Sequence, residues 1–168
     1  MRKICRGFTL FELVLVVLIL GIIAASLIPP INNNIRSPRL KTAANVLAAD
    51  IEFCESECIA QPNAPRVITF SILNNTYTLL DFNAGTAIKN PGDGLAYVND
   101  FATGRNAQLN GVTVTSVVSG GSAISSVTFN SYGKPLLTAD LVITLSYNSQ
   151  TLTLTVNAGT GDISIAGG

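Results

Sequence analysis

The first hydrophobic pattern in the chain is an apolar run over residues 8–28 in which Glu12 is the one charged side chain. These 21 residues would span roughly 30 Å as a helix, which is the thickness of a bilayer core. The run therefore predicts one transmembrane helix, and no second run of that length follows it. The basic residues Arg2, Lys3 and Arg6 precede the run, so the N-terminus is predicted to be cytoplasmic and the rest of the chain exported.

A second pattern, of helical period, begins after a Pro- and Asn-rich linker at 29–37. Ser37 suits an N-cap and Pro38 suits the first helical position. Apolar or small residues then recur every three or four positions, which predicts an amphipathic helix over 38–60 that ends before Gln61-Pro62. Its acidic residues, Asp50 among them, are assigned mostly to the polar face. The predicted apolar stripe contains Leu40, Ala44, Leu47, Ile51, Cys54 and Cys58.

The third pattern, over 61–168, alternates apolar and polar residues and predicts short antiparallel strands. Asn74-Asn75 is predicted to be a hairpin turn, and the glycine clusters are predicted to be turns rather than phosphate-binding loops. We call helix 38–60 and this β-rich region together the head. The predicted fold class is α+β, with a long N-terminal helix, first membrane-spanning and then amphipathic, on an antiparallel sheet or β-sandwich-like head. The predicted strands are Arg66–Ile72, Thr76–Phe82, Leu95–Val98, Leu109–Val118, Ser125–Asn130, Leu141–Tyr147, Thr151–Val156 and Asp162–Ile165.

Composition and charge narrow the functional classes. Ten basic and ten acidic residues give a net charge of zero, and removal of the three basic residues within 1–7 would leave seven basic and ten acidic side chains. This balance argues against a large basic surface for nucleic acid. The chain has no His, and its residues form no catalytic constellation. We therefore expect neither an enzyme nor a cofactor, and no small-molecule substrate.

Cys54 and Cys58 are the two cysteines in the exported part of the chain. Both lie on the apolar stripe, where free cysteine behaves as a small hydrophobic residue. An i, i+4 disulfide within a helix would require the last turn to fray, because the side-chain directions are poorly disposed. A metal would need further ligands. Buried thiols are the favoured interpretation, with a disulfide as the alternative and a metal pair as the weakest.

The N-terminal segment allows two simpler interpretations. A secretory signal peptide also has a basic start and an apolar run, but its core is about 7–15 residues long. A plain signal anchor explains the length of the run and leaves Glu12 unexplained, since a carboxylate in lipid costs a few kcal/mol and requires a partner.

The stretch Gly7-Phe8-Thr9-Leu10-Phe11-Glu12 after a basic leader resembles the class III signal of type IV pilins and type II secretion pseudopilins. The resemblance implies cleavage after Gly7 by prepilin peptidase, N-methylation of Phe8, and a role for Glu12 in filament assembly. It also implies that Gly21 and Pro29 are positions where the helix can unwind. Elementary electrostatics agrees, because cleavage creates an α-amino group at Phe8 that Glu12, of the same chain or a neighbour, can neutralise.

A looser resemblance covers most of the head. RLKTAANVLAADIEFCESECIAQPNAPRVITFSI and FNSYGKP, followed by ITLSYNSQTLTLTVNAGTGDISI, are similar to the GspH/FimT group of minor pseudopilins. This implies a structural subunit of a type II secretion pseudopilus, partnered by other pilins or pseudopilins and by prepilin peptidase. Its expected location is the bacterial inner membrane, with the head in the periplasm. A FimT-like, DNA-binding minor pilin of a type IV or competence pilus is the alternative, and an anchored periplasmic enzyme is a third class.

Overall fold

A computed structural model describes residues 10–26 and 38–167. The chain divides into two compact units, Met1–Ile35 and Arg36–Gly168. The predicted leader, residues 1–7, and the linker at 29–37 lie outside the described residues. Each unit is described below by itself.

The described part of the N-terminal unit is one helix, α1, over Leu10–Ser26. Its residues are almost all apolar and include good helix formers, with Glu12 in the first turn. The predicted transmembrane helix was longer, 8–28. Within residues 10–26 and 38–167, no helix is both long and apolar enough to cross a membrane.

The second unit begins with helix α2 over Pro38–Ala60, which has the bounds predicted from the sequence. Every member of the predicted apolar stripe is buried. The stripe contacts strands of two antiparallel sheets, so that one core forms between the helix and both sheets. The prediction for Asp50 was wrong, because its side chain lies on the buried face.

The two sheets follow the alternating pattern of the sequence. One sheet has the strand order β3-β2-β1-β6 and the other β5-β4-β7-β8-β9. In β7 and β8 every second side chain is apolar and buried, as a half-buried antiparallel pair requires. The strands are β1 Arg66–Ser71, β2 Thr76–Asp81, β3 Val98–Asp100, β4 Thr113–Ser119, β5 Ser122–Ala123, β6 Ser126–Phe129, β7 Leu141–Tyr147, β8 Gln150–Val156 and β9 Ile163–Ala166.

Two local predictions in the loops need correction. The short strand expected at Leu95–Val98 instead covers Val98–Asp100, where it pairs with β2, while Leu95 is exposed. Leu109 was expected to begin a strand but ends a 3₁₀ helix, Gly104–Leu109, and the strand starts at Thr113. Both shifts arise because pairing with a distant strand, rather than local alternation, decides which residues enter the sheet.

Two glycine turns cover the C-terminal half of α2. Gly133 has a φ of +75°, and a Cβ there would lie 3.3 Å from the backbone oxygen of Glu55. Gly161 has a φ of +87°, and a Cβ there would lie 3.1 Å from Oε1 of Glu55. Glycine is therefore required at both turns for backbone conformation and for close approach to the helix.

Candidate functional site

Helix α1 exposes its apolar side chains on all sides. From Leu10 to Gly21 every side chain is exposed, including Leu10, Phe11 and all the Leu, Val and Ile residues that follow. A helix that is apolar all round is stable only when lipid or protein covers it. The N-terminal unit is therefore a segment that requires a partner or a membrane.

The acidic residue predicted to direct assembly lies on this helix. Glu12 is exposed in the first turn of α1, where the helix dipole favours a negative charge. Gly21 is within the same helix, and a Cβ there would meet nothing within 4 Å. Gly7, Phe8 and Pro29, the other predicted site residues of this segment, lie outside the described residues, so their roles stay predictions.

A buried polar cluster that the sequence analysis missed links α2 to the first sheet. The carboxylate of Asp50 accepts hydrogen bonds from the hydroxyl groups of Tyr77 and Tyr97, the latter at 2.8 Å, and from the amide of Asn99. Asn99 in turn accepts a bond from Asn106. Because each carboxylate oxygen has a donor, the cluster is a satisfied structural network.

The pKa values within this cluster reflect its burial. Desolvation raises the pKa of Asp50, although the hydrogen bonds from Tyr77 and Tyr97 act in the opposite direction. Desolvation and the neighbouring carboxylate also raise the pKa of Tyr77 and of Tyr97. The two phenols therefore remain protonated donors to the Asp50 carboxylate at neutral pH.

Cys54 and Cys58 are both free and fully buried thiols. Sγ of Cys58 accepts a hydrogen bond from the backbone N–H of Arg66 at 3.2 Å and lies 3.6 Å from the carbonyl oxygen of Phe129, to which it donates. The pKa of Cys54 is raised by its hydrogen bond to Cys58 and by burial. Buried thiols were the favoured interpretation of the sequence, with a disulfide between the two as the alternative. No group of three or more metal-ligating side chains occurs within residues 10–26 and 38–167.

Two ionic groups lie where α2 ends. Arg66, nearly fully buried, pairs with Asp81 at 2.5 Å and with Glu57 at 3.3 Å. Oε1 of Glu55 is buried without a hydrogen-bond partner among the described residues. Desolvation, followed by the charges of Glu52, Asp162 and Cys58, raises the pKa of Glu55 to about 7. A carboxyl group with this pKa exchanges its proton near neutral pH.

One cleft of about 420 Å³ opens beside the Asp50 cluster. Its lining includes Asp93, Asn99, Asp100 and Arg105. Arg105 is engaged within the head, since it lies 3.4 Å from Asp93 and 5.5 Å above the ring centroid of Tyr97. The polar groups of the cleft therefore bond mainly to one another rather than converge on a ligand.

The comparisons with known proteins concern both the N-terminal segment and the head. Residues 2–28 match the family model described as the prokaryotic N-terminal methylation motif. The chain also shares its fold with the minor pseudopilin EpsH of the type 2 secretion system of Vibrio cholerae, at 13% identity over 77% of this chain and 95% of that chain, with a TM-score of 0.58. The motif and the fold together support the type IV pilin and pseudopilin superfamily.

A second structural match comes from a different kind of filament. The type IV minor pilin FimU of Pseudomonas aeruginosa matches at 17% identity over 76% of this chain and 87% of that chain, with a TM-score of 0.54. The methylation motif also implies membrane anchoring.

Proposed function

We propose that the protein is a minor pseudopilin, a non-enzymatic structural subunit of the periplasmic pseudopilus of a type II secretion system. The observation that carries this proposal is the exposed apolar helix α1, which has Glu12 in its first turn and lies within the matched methylation motif. Such a helix must be covered by lipid before assembly and by neighbouring subunits afterwards. The hydrogen-bonded cluster of Asp50, Tyr77, Tyr97 and Asn99 in the head supports a structural role, since its polar groups bind one another.

In this proposal maturation creates the site of assembly. Prepilin peptidase cuts between Gly7 and Phe8 and methylates the new amino group, while residues 8–28 hold the chain in the inner membrane with the head in the periplasm. The amino group of Phe8 then neutralises Glu12 of its own chain or of a neighbour, because neither charge is tolerated alone in lipid. An unprocessed chain lacks the amine and is therefore incompetent for assembly.

The first test is a glycine substitution. Gly7→Ala should leave full-length precursor in cells with an active prepilin peptidase, as seen by the size of the chain on a gel. Gly21→Ala is the matched control, because its Cβ meets nothing within 4 Å and it should be processed normally. Normal processing of Gly7→Ala would contradict the proposed cleavage site.

The alternative function is a minor pilin of a type IV or competence pilus that binds DNA. The structural match to FimU, a type IV minor pilin, is the observation that favours this alternative. DNA binding would require clustered, accessible cations. In the described head Arg66 is buried in ion pairs and Arg105 is held by Asp93. Arg39 and Lys41 are exposed together at the start of α2, but two cations are a small patch beside the extended basic surface that DNA binding uses, which supports the secretion assignment. A gel-shift assay with the detergent-solubilised full chain should show no salt-sensitive DNA complex, and such a complex would reverse the ranking.

A further inference from the structure

The two ends of α2 differ sharply in charge. Its start lies in a contiguous surface built from four segments, which we call the basic pole: Pro38–Thr42, Ile72–Asn75, Asn110–Thr113 and Tyr147–Gln150. Arg39 and Lys41 are exposed there, and none of the four segments contains a carboxylate. Around the end of α2 carboxylates outnumber cations, since Glu52, Glu55, Glu57, Asp81 and Asp162 lie there with Arg66 and Lys134.

Side-chain bonds hold the basic pole together. The guanidinium of Arg39 donates to the carbonyl oxygen of Asn110 at 3.3 Å and to the hydroxyl of Tyr147 at 3.2 Å. The amide of Asn75 donates to the carbonyl of Val112 at 2.6 Å. The helix start, the β1–β2 hairpin tip and two loops therefore form one rigid surface.

Apolar side chains project from this surface. Leu73, at the tip of the hairpin, is 100% exposed, and Ile72 beside it is 44% exposed. Turns normally carry Gly, which adopts positive φ angles, or Asn, Asp and Ser, which form hydrogen bonds with the nearby backbone. The two apolar residues do neither, and they are not part of the hydrophobic core. Asp100, which pairs in register with Thr76 next to the hairpin, is occupied by the N–H of Ala102 and the hydroxyl of Thr103. Exposed apolar residues flanked by cations are the composition of surfaces that lie on anionic membranes.

The position of the basic pole along the chain also favours a membrane as its binding partner. Residues 27–37 join α1 to Pro38, which is part of the basic pole. The other end of α2 is roughly 35 Å further away, at 1.5 Å per residue. The basic pole is therefore the part of the head that follows the proposed membrane anchor most closely along the chain, and the acidic end of α2 is more distant from it by the length of the helix.

We propose that the basic pole of the head, with Leu73 and Ile72 in contact with the lipid and Arg39 and Lys41 facing anionic headgroups, docks on the bilayer surface before the subunit enters a filament. This rests on the membrane anchor of the proposed function. Entry into a filament would then require release of the pole from lipid.

Tryptophan fluorescence tests the docking directly, because the chain has no Trp of its own. The full chain carrying Leu73→Trp is reconstituted in vesicles of phosphatidylcholine and phosphatidylglycerol, with and without brominated acyl chains. Tyr132→Trp is the matched control, since Tyr132 is 79% exposed in the turn that packs on the far end of α2. We expect the indole of the Leu73→Trp chain to be blue-shifted and quenched by the brominated lipid, and the indole of the Tyr132→Trp chain to be neither.

A second variant measures how much a cation of the basic pole contributes to docking. Adding Lys41→Gln to Leu73→Trp should reduce the ratio of docked to undocked heads about fivefold, the equivalent of about 1 kcal/mol per cation near an anionic surface. Replacing phosphatidylglycerol by phosphatidylcholine should weaken docking in the same direction.

The remaining outcomes are distinct. Flotation of the Leu73→Trp chain with the vesicles while its indole stays unquenched, or equal quenching of the Leu73→Trp and Tyr132→Trp chains, would overturn docking and leave the anchor intact. A third outcome is a blue-shifted indole in the Leu73→Trp chain whose fluorescence is not quenched by brominated lipid. If this blue shift disappears when the chain is diluted in lipid, the basic pole binds a second copy of the chain, and docking on lipid is overturned. Failure of the chain to float with the vesicles would overturn the anchor itself.

Discussion

The two units of this chain use apolar side chains in opposite ways. In α1 the side chains from Leu10 to Gly21 are all exposed, whereas the stripe of α2 is buried against two sheets. The head buries the apolar stripe of α2 within its own core, whereas the apolar side chains of α1 are left for lipid or other chains to cover. Under the proposed function, substitutions in the head should therefore change its stability, and substitutions in α1 should change assembly.

The largest expected effect is on assembly. Glu12→Gln should be processed normally yet fail to co-assemble with partner pilins, because the charge that neutralises the amine of Phe8 is lost while the size of the side chain is kept. Glu52→Gln, an exposed glutamate of α2, is the control and should co-assemble as the wild type does. Recovery with sheared filaments or cross-linking to partner subunits measures the effect, and normal incorporation of Glu12→Gln would remove the role given to this carboxylate.

The second prediction compares the effects of two isoleucine substitutions, one in each unit, on the free energy of unfolding of the head. Ile51 is fully buried in the core and Ile19 is 46% exposed in α1. Ile51→Ala should lower the free energy of unfolding of the head by about 2–5 kcal/mol, and Ile19→Ala should leave it unchanged. Urea unfolding of the chain in detergent, followed by near-UV circular dichroism, reports the head alone because all four tyrosines lie there. Equal effects of the two substitutions would break the comparison.

A smaller effect concerns the pH dependence of the head. The pKa of Glu55 is about 7 in the folded protein against an ordinary value of 4.5, so the folded state binds more protons than the unfolded state between these values. The free energy of unfolding should therefore fall as the pH rises from about 4.5 through 7. Glu55→Gln should abolish this component.

Glu52→Gln provides a graded version of the same test. It removes one of the negative charges that raise the pKa of Glu55, so the loss of stability with rising pH should be smaller than in the wild type and larger than in Glu55→Gln. Urea midpoints at pH 5 and pH 8 measure all three chains. An unchanged pH dependence in Glu55→Gln would show that Glu55 is not the responsible group.

Local pattern was sufficient to predict α2 and the most regular strands of the head. The three- and four-residue spacing of α2 identified its buried stripe, and strict alternation located β7 and β8, because each depends on the geometry of one element. The order of strands and the presence of two sheets depend on pairings between distant segments. β3, for example, is defined by register with β2 rather than by its own three residues.

Long-range contacts also explain what was missed in the candidate sites. Asp50 follows Leu47 by three positions and precedes Cys54 by four, so its place on the stripe was visible in the spacing. Its burial is tolerable because Tyr77, Tyr97 and Asn99 arrive from 27 to 49 residues away. The raised pKa of Glu55 similarly depends on turns far along the chain. By contrast, Glu12 stands out in the sequence because it interrupts an apolar run.

The N-terminus of the mature protein tests the central claim most directly. Mass spectrometry of the chain isolated from membranes of cells with an active prepilin peptidase should find that it begins at Phe8, with one added methyl group on the α-amino nitrogen. A chain that still begins at Met1, or one cut within Ala24-Ala25-Ser26 as by a secretory signal peptidase, would contradict the account.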